Sequence, residues 1–161
     1  MNSTAKPTDD KQIIRQLMQD WSNALEAKDV QGLTRNYLPD ALLFDAIPPY
    51  KTQGVEAIRQ AWEHCLPCFP EQFRSEHRDV DIQVGGDTAF ASCLHRFVTE
   101  PADHPAGQSW MRVTLGYRRV NGQWMVAHEH VSMPFNPMNN QVWQIKDPDN
   151  LNDMPDYSQA S

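Results

Sequence analysis

Acidic and basic side chains interrupt two stretches of this sequence that otherwise read as β-strand. One of them is Asp45, which lies in the apolar run 41–47. Burial in such a run raises a carboxyl pKa, and a carboxylate tuned towards neutrality can remove a proton next to a carbonyl group. The alternative is a structural role, in which Asp45 accepts hydrogen bonds from backbone N–H groups near Pro48. On the first interpretation Asp45 is a candidate general base.

Two histidines and a serine share one face of the last predicted strand. His128, His130 and Ser132 follow the period of two that places alternate side chains on the same side of a strand. A histidine there could transfer protons near neutral pH, and Arg112 on the preceding strand could hold negative charge on a ligand oxygen. The alternative is a pair of buried, neutral histidines that bond only to the scaffold.

The turn between the last two strands decides which residues meet these histidines. A two-residue loop would leave the imidazoles among aliphatic side chains, whereas a three-residue loop, 120–122, would pair Thr114 with His128 and Arg112 with His130. We predict the three-residue loop because it gathers the polar groups on one face, which should point into the fold. The members of this predicted polar face are Trp110, Arg112, Thr114, His128, His130 and Ser132.

Metal and redox chemistry have weaker support in the sequence. His128 and His130, together with His95, could form a three-histidine zinc site. However, nothing in the sequence brings His95 to the other two, and Arg112 would repel a cation. The CxxC pair 65–68 lies at the end of a predicted helix, where the helix dipole has the wrong sign to activate a thiol. We therefore predict no metal and no cofactor.

The elements that must position these residues are helices first and long strands afterwards. An apolar stripe between Ile13 and Leu25 predicts a long amphipathic helix. A second short helix should carry Leu33, Tyr37 and Leu38, and a third should begin at Gly54. Alternation predicts two β-hairpins, 80–99 and 110–133, and we interpret 74–79 as a solvated connection. This order indicates an α+β fold with helices on one face of a sheet.

Composition limits the classes of protein to which the chain can belong. It has 161 residues, 40% hydrophobic and 22% charged, with a net charge of −7. We therefore predict one soluble domain with no nucleic-acid partner, since phosphate backbones require a positive face. We also predict no membrane contact and a cytoplasmic location, because no run approaches eighteen apolar residues and no secretion signal is apparent. Three cysteines do not suggest a disulfide framework.

Three segments follow from this organisation. Residues 1–7 are predicted to be a flexible N-terminus and residues 8–134 the folded domain. Residues 135–161 are predicted to be a tail that drapes on the domain or is partly mobile, and that could cover the opening or cross to a second subunit. The long hairpins carry apolar residues on both faces, although a half-solvated sheet should be polar on one. We therefore expect a homodimer that forms through the outer sheet face.

Three stretches carry a resemblance to a known family, LMQDWSNALEAKDVQGLTRNYLPDALLFD, TQGVEAIRQAW and NGQWMVAHEHVSMP. Over residues 8–134 the chain resembles the nuclear transport factor 2-like superfamily, in particular its ketosteroid isomerase-like and SnoaL-like branches. The resemblance implies a cone, in which a curved antiparallel sheet wraps around about three N-terminal helices. It also implies that the open mouth of the cone binds a small, largely apolar molecule.

The resemblance carries over to individual residues only in part. Asp45 matches the general-base aspartate of the isomerase. However, Trp21 stands where the isomerase has its oxyanion-hole tyrosine, and an uncharged residue, about Thr114 to Gly116, stands where it has a protonated aspartate. Two donors to a developing enolate are missing, so steroid isomerisation itself is not expected.

Together these observations predict a cofactor-independent enzyme of the isomerase, lyase or cyclase kind. It should act by acid–base proton transfer on a mostly apolar carbonyl or aromatic compound, with Asp45, His128, His130 and Arg112 as catalytic residues. The alternative is a non-catalytic module of the same fold that binds or senses a small ligand. The predicted substrate-binding residues are Trp21, Tyr37, Trp62, His95, Trp110, Thr114 and Ser132.

Overall fold

A computed structural model describes residues 7–159, with side chains from Asp10 onwards. The predicted flexible N-terminus, residues 1–7, therefore lies outside the described residues except for Pro7. The helices are α1 (Pro7–Glu26), α2 (Val30–Thr34) and α3 (Val55–Cys65). The strands are β1 (Tyr37–Phe44), β2 (Thr52–Gln53), β3 (Phe73–Gly85), β4 (Thr88–Thr99), β5 (Met111–Val120), β6 (Gln123–Ser132), β7 (Phe135–Asn136) and β8 (Gln141–Val142).

Six of these strands form one curved sheet, which packs its inner face against the helices. Their order is β2-β1-β6-β5-β4-β3. Every neighbouring pair is antiparallel except β1 and β6, which run parallel. The predicted α+β cone is confirmed, with this one parallel pair as a difference from a purely antiparallel sheet.

Helix α1 supplies the apolar stripe that closes the inner face. Ile14 and Leu25 are completely buried and Met18 is nearly so, whereas Ile13 at the edge of the stripe is 46% exposed. The buried side chains recur every three or four residues, the spacing of one face of an α-helix. The stripe packs against inward-facing residues of the sheet, among them Leu43 and Ala91.

Two elements differ from the predictions. Helix α2 ends at Thr34, and Tyr37 and Leu38 begin β1 rather than continue the helix. Aromatic and branched side chains favour a half-buried strand, and the hydrogen bond from the Val126 N–H to the Asn36 carbonyl holds the chain in the sheet. Residues 74–79 are not a solvated connection either, because they form part of β3, in which residues 74–78 pair with β4.

The turn between β5 and β6 has two residues, so the predicted three-residue loop is wrong. Asn121 and Gly122 both have positive φ, at 51° and 77°. Such a turn matches the right-handed twist of the strands that it joins. Val120 consequently pairs with Gln123.

A β-bulge in β6 then changes the register further along the hairpin. Tyr117 pairs with Val126 but Gly116 pairs with His128, so Ala127 has no opposite residue. A bulge breaks the alternation of the strand on which it occurs. As a result Val126 and Glu129 share the inner face of the sheet.

The residues that follow the last long strand pack beside the start of β5. β7 and β8 form a short hairpin. The Trp110 N–H donates to the Ile145 carbonyl at 3.0 Å, and Arg78 forms an ion pair with Asp149. Within the part of the chain that is described, no helix is long and apolar enough to span a membrane.

The start of α1 is held to the β5–β6 hairpin by a buried carboxylate. Asp10 accepts hydrogen bonds from the Trp124 indole N–H and from Arg119, each at 3.1 Å. Replacing it with alanine leaves the buried indole N–H without a partner, which costs about 1–3 kcal/mol. We expect Asp10→Ala to lower the free energy of unfolding by that amount in urea titrations.

The matched control is Asp20→Ala, which removes a carboxylate from the exposed side of the same helix, where it accepts only from Gln16. That variant should change the unfolding free energy by less than about 0.5 kcal/mol. Equal effects of the two substitutions would contradict an anchoring role for Asp10.

Candidate functional site

The inner face of the sheet and the helices α1 and α3 enclose a cavity of about 820 Å³. This volume lies within the range of small-molecule sites, which are mostly apolar with a few placed polar groups. Its walls follow that description, with aliphatic and aromatic side chains over most of the surface. The ionisable side chains on its walls include Asp45, Glu129, Tyr37, Tyr117, His77 and His95.

A carboxyl group and a phenol form the first polar cluster. The Tyr37 hydroxyl donates a hydrogen bond to Glu129 Oε2 at 2.5 Å. The pKa of Glu129 is raised to about 7, mainly by burial, with the Tyr37 hydrogen bond lowering it and the charge of the nearby Asp45 raising it. Burial also raises the pKa of Tyr37, so Tyr37 stays a neutral donor. Glu129 therefore changes its protonation state near neutral pH.

Asp45 lies one residue beyond the end of β1, on the same side of the sheet as Glu129. Leu43 pairs with Glu129 across the parallel strands, and Asp45 is two residues further along. Its Oδ1 accepts from the Ala46 N–H at 2.7 Å. Burial nevertheless raises the pKa of Asp45. The two carboxyl groups thus share one region of the cavity.

Two histidines form the second polar cluster. His77 and His95 pair across β3 and β4, and their ring centroids are 4.8 Å apart. A chain of hydrogen bonds joins them through two serines, Ser22 and Ser75. Burial lowers the pKa of His77 to about 4, and burial together with His77 lowers that of His95 to about 3. Both rings are neutral at physiological pH.

Aromatic rings separate the two clusters. Trp21 packs edge-on against His77, His95 and Trp62, with ring centroids 5.5–6.0 Å apart. Its indole N–H is buried and makes no hydrogen bond of normal geometry among the described residues, and its proximity to the Tyr37 hydroxyl lowers the pKa of Tyr37. A buried donor without a well-formed hydrogen bond is rare in folded proteins.

Five of the residues predicted for the site lie on the cavity wall. They are Asp45, Trp21, Tyr37, Trp62 and His95. Four of them come from elements that the sequence located well, and Tyr37 comes from the strand that replaced the end of the second predicted helix. Their placement brings one predicted catalytic group together with four predicted substrate-binding groups.

The predicted polar face points away from the cavity, so the expectation that it lines the cone is wrong. Val113 and Leu115 of β5 line the cavity instead, and the bulge at Ala127 places Val131 of β6 on the same side. The His128 ring bonds to the Leu42 carbonyl, with 2.8 Å between Nδ1 and O. The six side chains of this face, none of which lines the cavity, are Trp110, Arg112, Thr114, His128, His130 and Ser132.

The same geometry removes the three-histidine zinc alternative. His95 points into the cavity, whereas His128 and His130 lie on the opposite face of the sheet and pack against Phe44. No group of three or more His, Cys, Asp or Glu side chains among the described residues is arranged to hold a metal ion.

Sequence reasoning missed the two residues that define the clusters. Glu129 was the one charged residue among otherwise apolar positions of its strand face, which is a usable signal for a buried functional carboxyl. His77 was placed in a solvated connection because charged residues surround it. Only its pairing with His95 in the sheet shows that it faces inwards.

A family model places the chain among known proteins. Residues 14–136 match the model of the SnoaL-like domain. The chain therefore belongs to the SnoaL-like domain family, and the predicted resemblance to the nuclear transport factor 2-like superfamily is confirmed. No protein of curated function matches the sequence.

Solved structures agree with this assignment. The chain is 33% identical to an NTF2-like protein of unknown function from Pseudomonas putida KT2440, over 88% of this chain and 98% of that one, with a TM-score of 0.80. It is 20% identical to a candidate dehydratase of the NTF2-like family from Streptomyces avermitilis, over 79% and 97% of the two chains, with a TM-score of 0.66. At 20% identity, the similarity to the Streptomyces avermitilis protein shows the fold alone.

The raised pKa of Glu129 makes a specific contribution to stability. A carboxyl group whose pKa is higher in the folded state than in the unfolded state favours folding at low pH, and that contribution is lost as the pH rises through about 7. Glu129→Gln cannot ionise. We expect its unfolding free energy, relative to the natural chain, to rise by roughly 2–3 kcal/mol between pH 4.5 and pH 8.

Chemical denaturation at several pH values measures this difference, with the exposed Glu71→Gln as the matched control. A difference between Glu129→Gln and the natural chain that stays constant over this pH range would show that Glu129 does not titrate abnormally.

Proposed function

We propose that this protein is an enzyme of the isomerase, lyase or cyclase kind, in which Glu129 transfers a proton on a small, mostly apolar carbonyl or aromatic compound. The observation that carries the proposal is the partly buried Glu129 carboxyl, bonded to the Tyr37 hydroxyl and facing an apolar cavity. An acid–base group works best when its pKa lies near the working pH. Glu129, with a pKa of about 7, meets that requirement.

Asp45 has a supporting role in this proposal. Its charge raises the pKa of Glu129, and interacting carboxyl groups give up their protons in separate steps. Asp45 is the charged partner in this proposal, because its negative charge is one of the causes that raise the pKa of Glu129. At neutral pH one carboxyl is thus ionised while the other exchanges its proton with the substrate.

The reaction also needs a donor for the charge that develops on the substrate oxygen. Arg112, the predicted donor, lies on the outer face and cannot serve. Trp21 lines the cavity, and its buried indole N–H, which makes no hydrogen bond of normal geometry with a described side chain, is the donor that the proposal assigns to this oxygen. Fixed donors of this kind in a water-poor site stabilise a developing oxyanion strongly.

These groups give a balanced proton transfer. The Glu129 carboxylate removes a proton from the carbon next to a carbonyl, the C–H electrons form a carbon–carbon double bond, and the carbonyl π electrons move onto oxygen near Trp21. The protonated Glu129 then returns the proton. Return to a different carbon isomerises the compound, and return to a departing hydroxyl releases water.

The test uses 2-tetralone, a bicyclic ketone with acidic α-protons. We expect the natural chain to accelerate exchange of these protons for deuterium in D₂O, followed by ¹H NMR, with a rate that rises through about pH 7. Glu129→Gln should lower the protein-dependent rate by about 10²–10⁴-fold, the usual contribution of a positioned acid–base group. Glu71→Gln, at an exposed carboxyl outside the cavity, is the matched control and should retain the rate.

The same assay separates the enzyme from a non-catalytic binder. A binder would hold 2-tetralone without accelerating exchange, and Glu129→Gln would change its affinity alone. Either result would overturn the proposed catalysis.

We propose in addition that two copies of the chain pair through the outer sheet face. Adjacent strands present three rows there, Phe90–Gly116–His128, Ser92–Thr114–His130 and Leu94–Arg112–Ser132. Phe90 is 51% exposed, and Gly116 leaves a depression between it and His128. An exposed ring beside a depression suits a self-complementary contact.

Phe90→Glu should convert a dimer into a monomer in analytical ultracentrifugation, because it places a charge in an apolar contact. Phe135→Glu, at a residue that is 62% exposed but lies outside this face, should leave the mass unchanged. A monomeric natural chain would refute the proposed interface.

A further inference from the structure

A continuous chain of three hydrogen bonds links the two cavity histidines, His77 and His95. The distances are 3.2 Å from His77 Nδ1 to Ser22 Oγ, 2.9 Å from Ser22 Oγ to Ser75 Oγ, and 2.7 Å from Ser75 Oγ to His95 Nε2. The remaining ring nitrogens, Nε2 of His77 and Nδ1 of His95, have no bond to any other described residue. Both rings lie on the cavity wall, and His95 is only 3% exposed.

Counting protons limits how this chain can be arranged. Three hydrogen bonds need three protons, and the two serine hydroxyls supply two of them. With both hydroxyls used, one histidine must donate the third proton and the other must accept. Since each neutral imidazole carries a single N–H, the direction of the whole chain sets the tautomer of both rings.

Both possible directions lead to the same result at the cavity. If His77 donates to Ser22, both rings carry their proton on Nδ1. The remaining nitrogen is then an acceptor on His77 (Nε2) and a donor on His95 (Nδ1). If His95 donates to Ser75, both carry it on Nε2 and the two roles are exchanged. In each case the pair offers one donor and one acceptor.

We propose that His77 and His95 form a subsite that binds one uncharged hydroxyl group of the ligand, which donates to one ring and accepts from the other. A hydroxyl has the one proton and the lone pairs that this arrangement needs. The inference deepens the proposed function, because it identifies the substrate class as a hydroxylated, mostly apolar compound. It depends on that function only for calling the ligand a substrate.

The surroundings favour a hydroxyl over a charged group. No described residue on the cavity wall is Lys or Arg, so no basic side chain there would neutralise a bound anion. The rings of Trp21 and Phe97 lie edge-on to His95, with centroids 5.5 Å and 4.9 Å away. These flat apolar walls suit a hydroxyl that is attached to an aromatic or enolic ring.

The subsite lies apart from the proposed proton-transfer group. Glu129 pairs with Leu115, which pairs with Ala91, and His95 is four residues further along β4. Two strand spacings and four residues of strand separate their backbones by roughly 16 Å. One ligand can therefore be held by a hydroxyl at the histidines while Glu129 acts on its other end.

The first test compares three bicyclic probes by isothermal titration calorimetry. The natural chain should bind 2-naphthol about tenfold more tightly than 2-methylnaphthalene, as expected for a hydrogen bond of about 1.4 kcal/mol, and 2-naphthoate most weakly. His95→Phe should abolish the preference for 2-naphthol, and His95→Gln, which keeps a donor and an acceptor, should restore part of it. Gln19→Phe, on the exposed side of α1, is the matched control and should keep the full preference.

Two results would overturn the subsite. One is tighter binding of 2-naphthoate than of 2-naphthol, and the other is a preference for 2-naphthol that survives in His95→Phe. If Glu129→Gln left deuterium exchange intact while the preference for 2-naphthol was lost in His95→Phe, the proposed catalysis would fail and the subsite would stand.

The second test needs no substitution and so does not depend on the folding of a variant. Long-range ¹H–¹⁵N NMR spectra at pH 7 report the tautomer of each histidine. We expect His77 and His95 to be neutral and to share one tautomer, and 2-naphthol to shift the cavity-facing nitrogen of each. Opposite tautomers, or a protonated ring, would refute the donor–acceptor pair.

Discussion

One extra residue in β6 decides what the cavity contains. Ala127 has no opposite residue on β5, so the side chains of β6 beyond it lie on the other face of the sheet from the one that regular alternation would give. Val126 and Glu129 then both face the helices, and the histidines that alternate with Glu129 face outwards. A one-residue change of register exchanges the two faces of a strand, which is why so small a feature determines the chemistry of the whole site.

The low polarity of the cavity acts in opposite directions on its two polar clusters. Burial disfavours charge, so it raises the pKa of the Glu129 carboxyl and lowers the pKa of the His77 and His95 rings. Neutral imidazoles can both donate and accept, whereas a carboxyl that titrates near pH 7 can give and take protons. The same physical cause thus separates a proton-transfer group from a group that suits hydrogen bonding alone.

Much of the scaffold could be predicted because local signals and tertiary structure agree. The apolar stripe of α1 and the span of β4 follow from side-chain periodicity, and Asn121–Gly122 marks the position of the turn between β5 and β6 but not its length. Asp45 could be placed because it follows a strand that ends at Phe44. Tyr37 was assigned to a helix, because a five-residue helix followed by a strand has too little periodicity to locate their boundary.

The sequence by itself determined the fold class, the long amphipathic helix, the family resemblance and an apolar site with Asp45 beside it. Only the tertiary structure decided which face of the β5–β6 hairpin looks inwards, and with it the exchange of Arg112, His128 and His130 for Glu129. It also brought Ser22 on a helix and Ser75 on a strand to the two histidines. The reason is physical, since periodicity acts within one element, whereas a bulge and a hydrogen-bond chain depend on contacts between elements far apart in sequence.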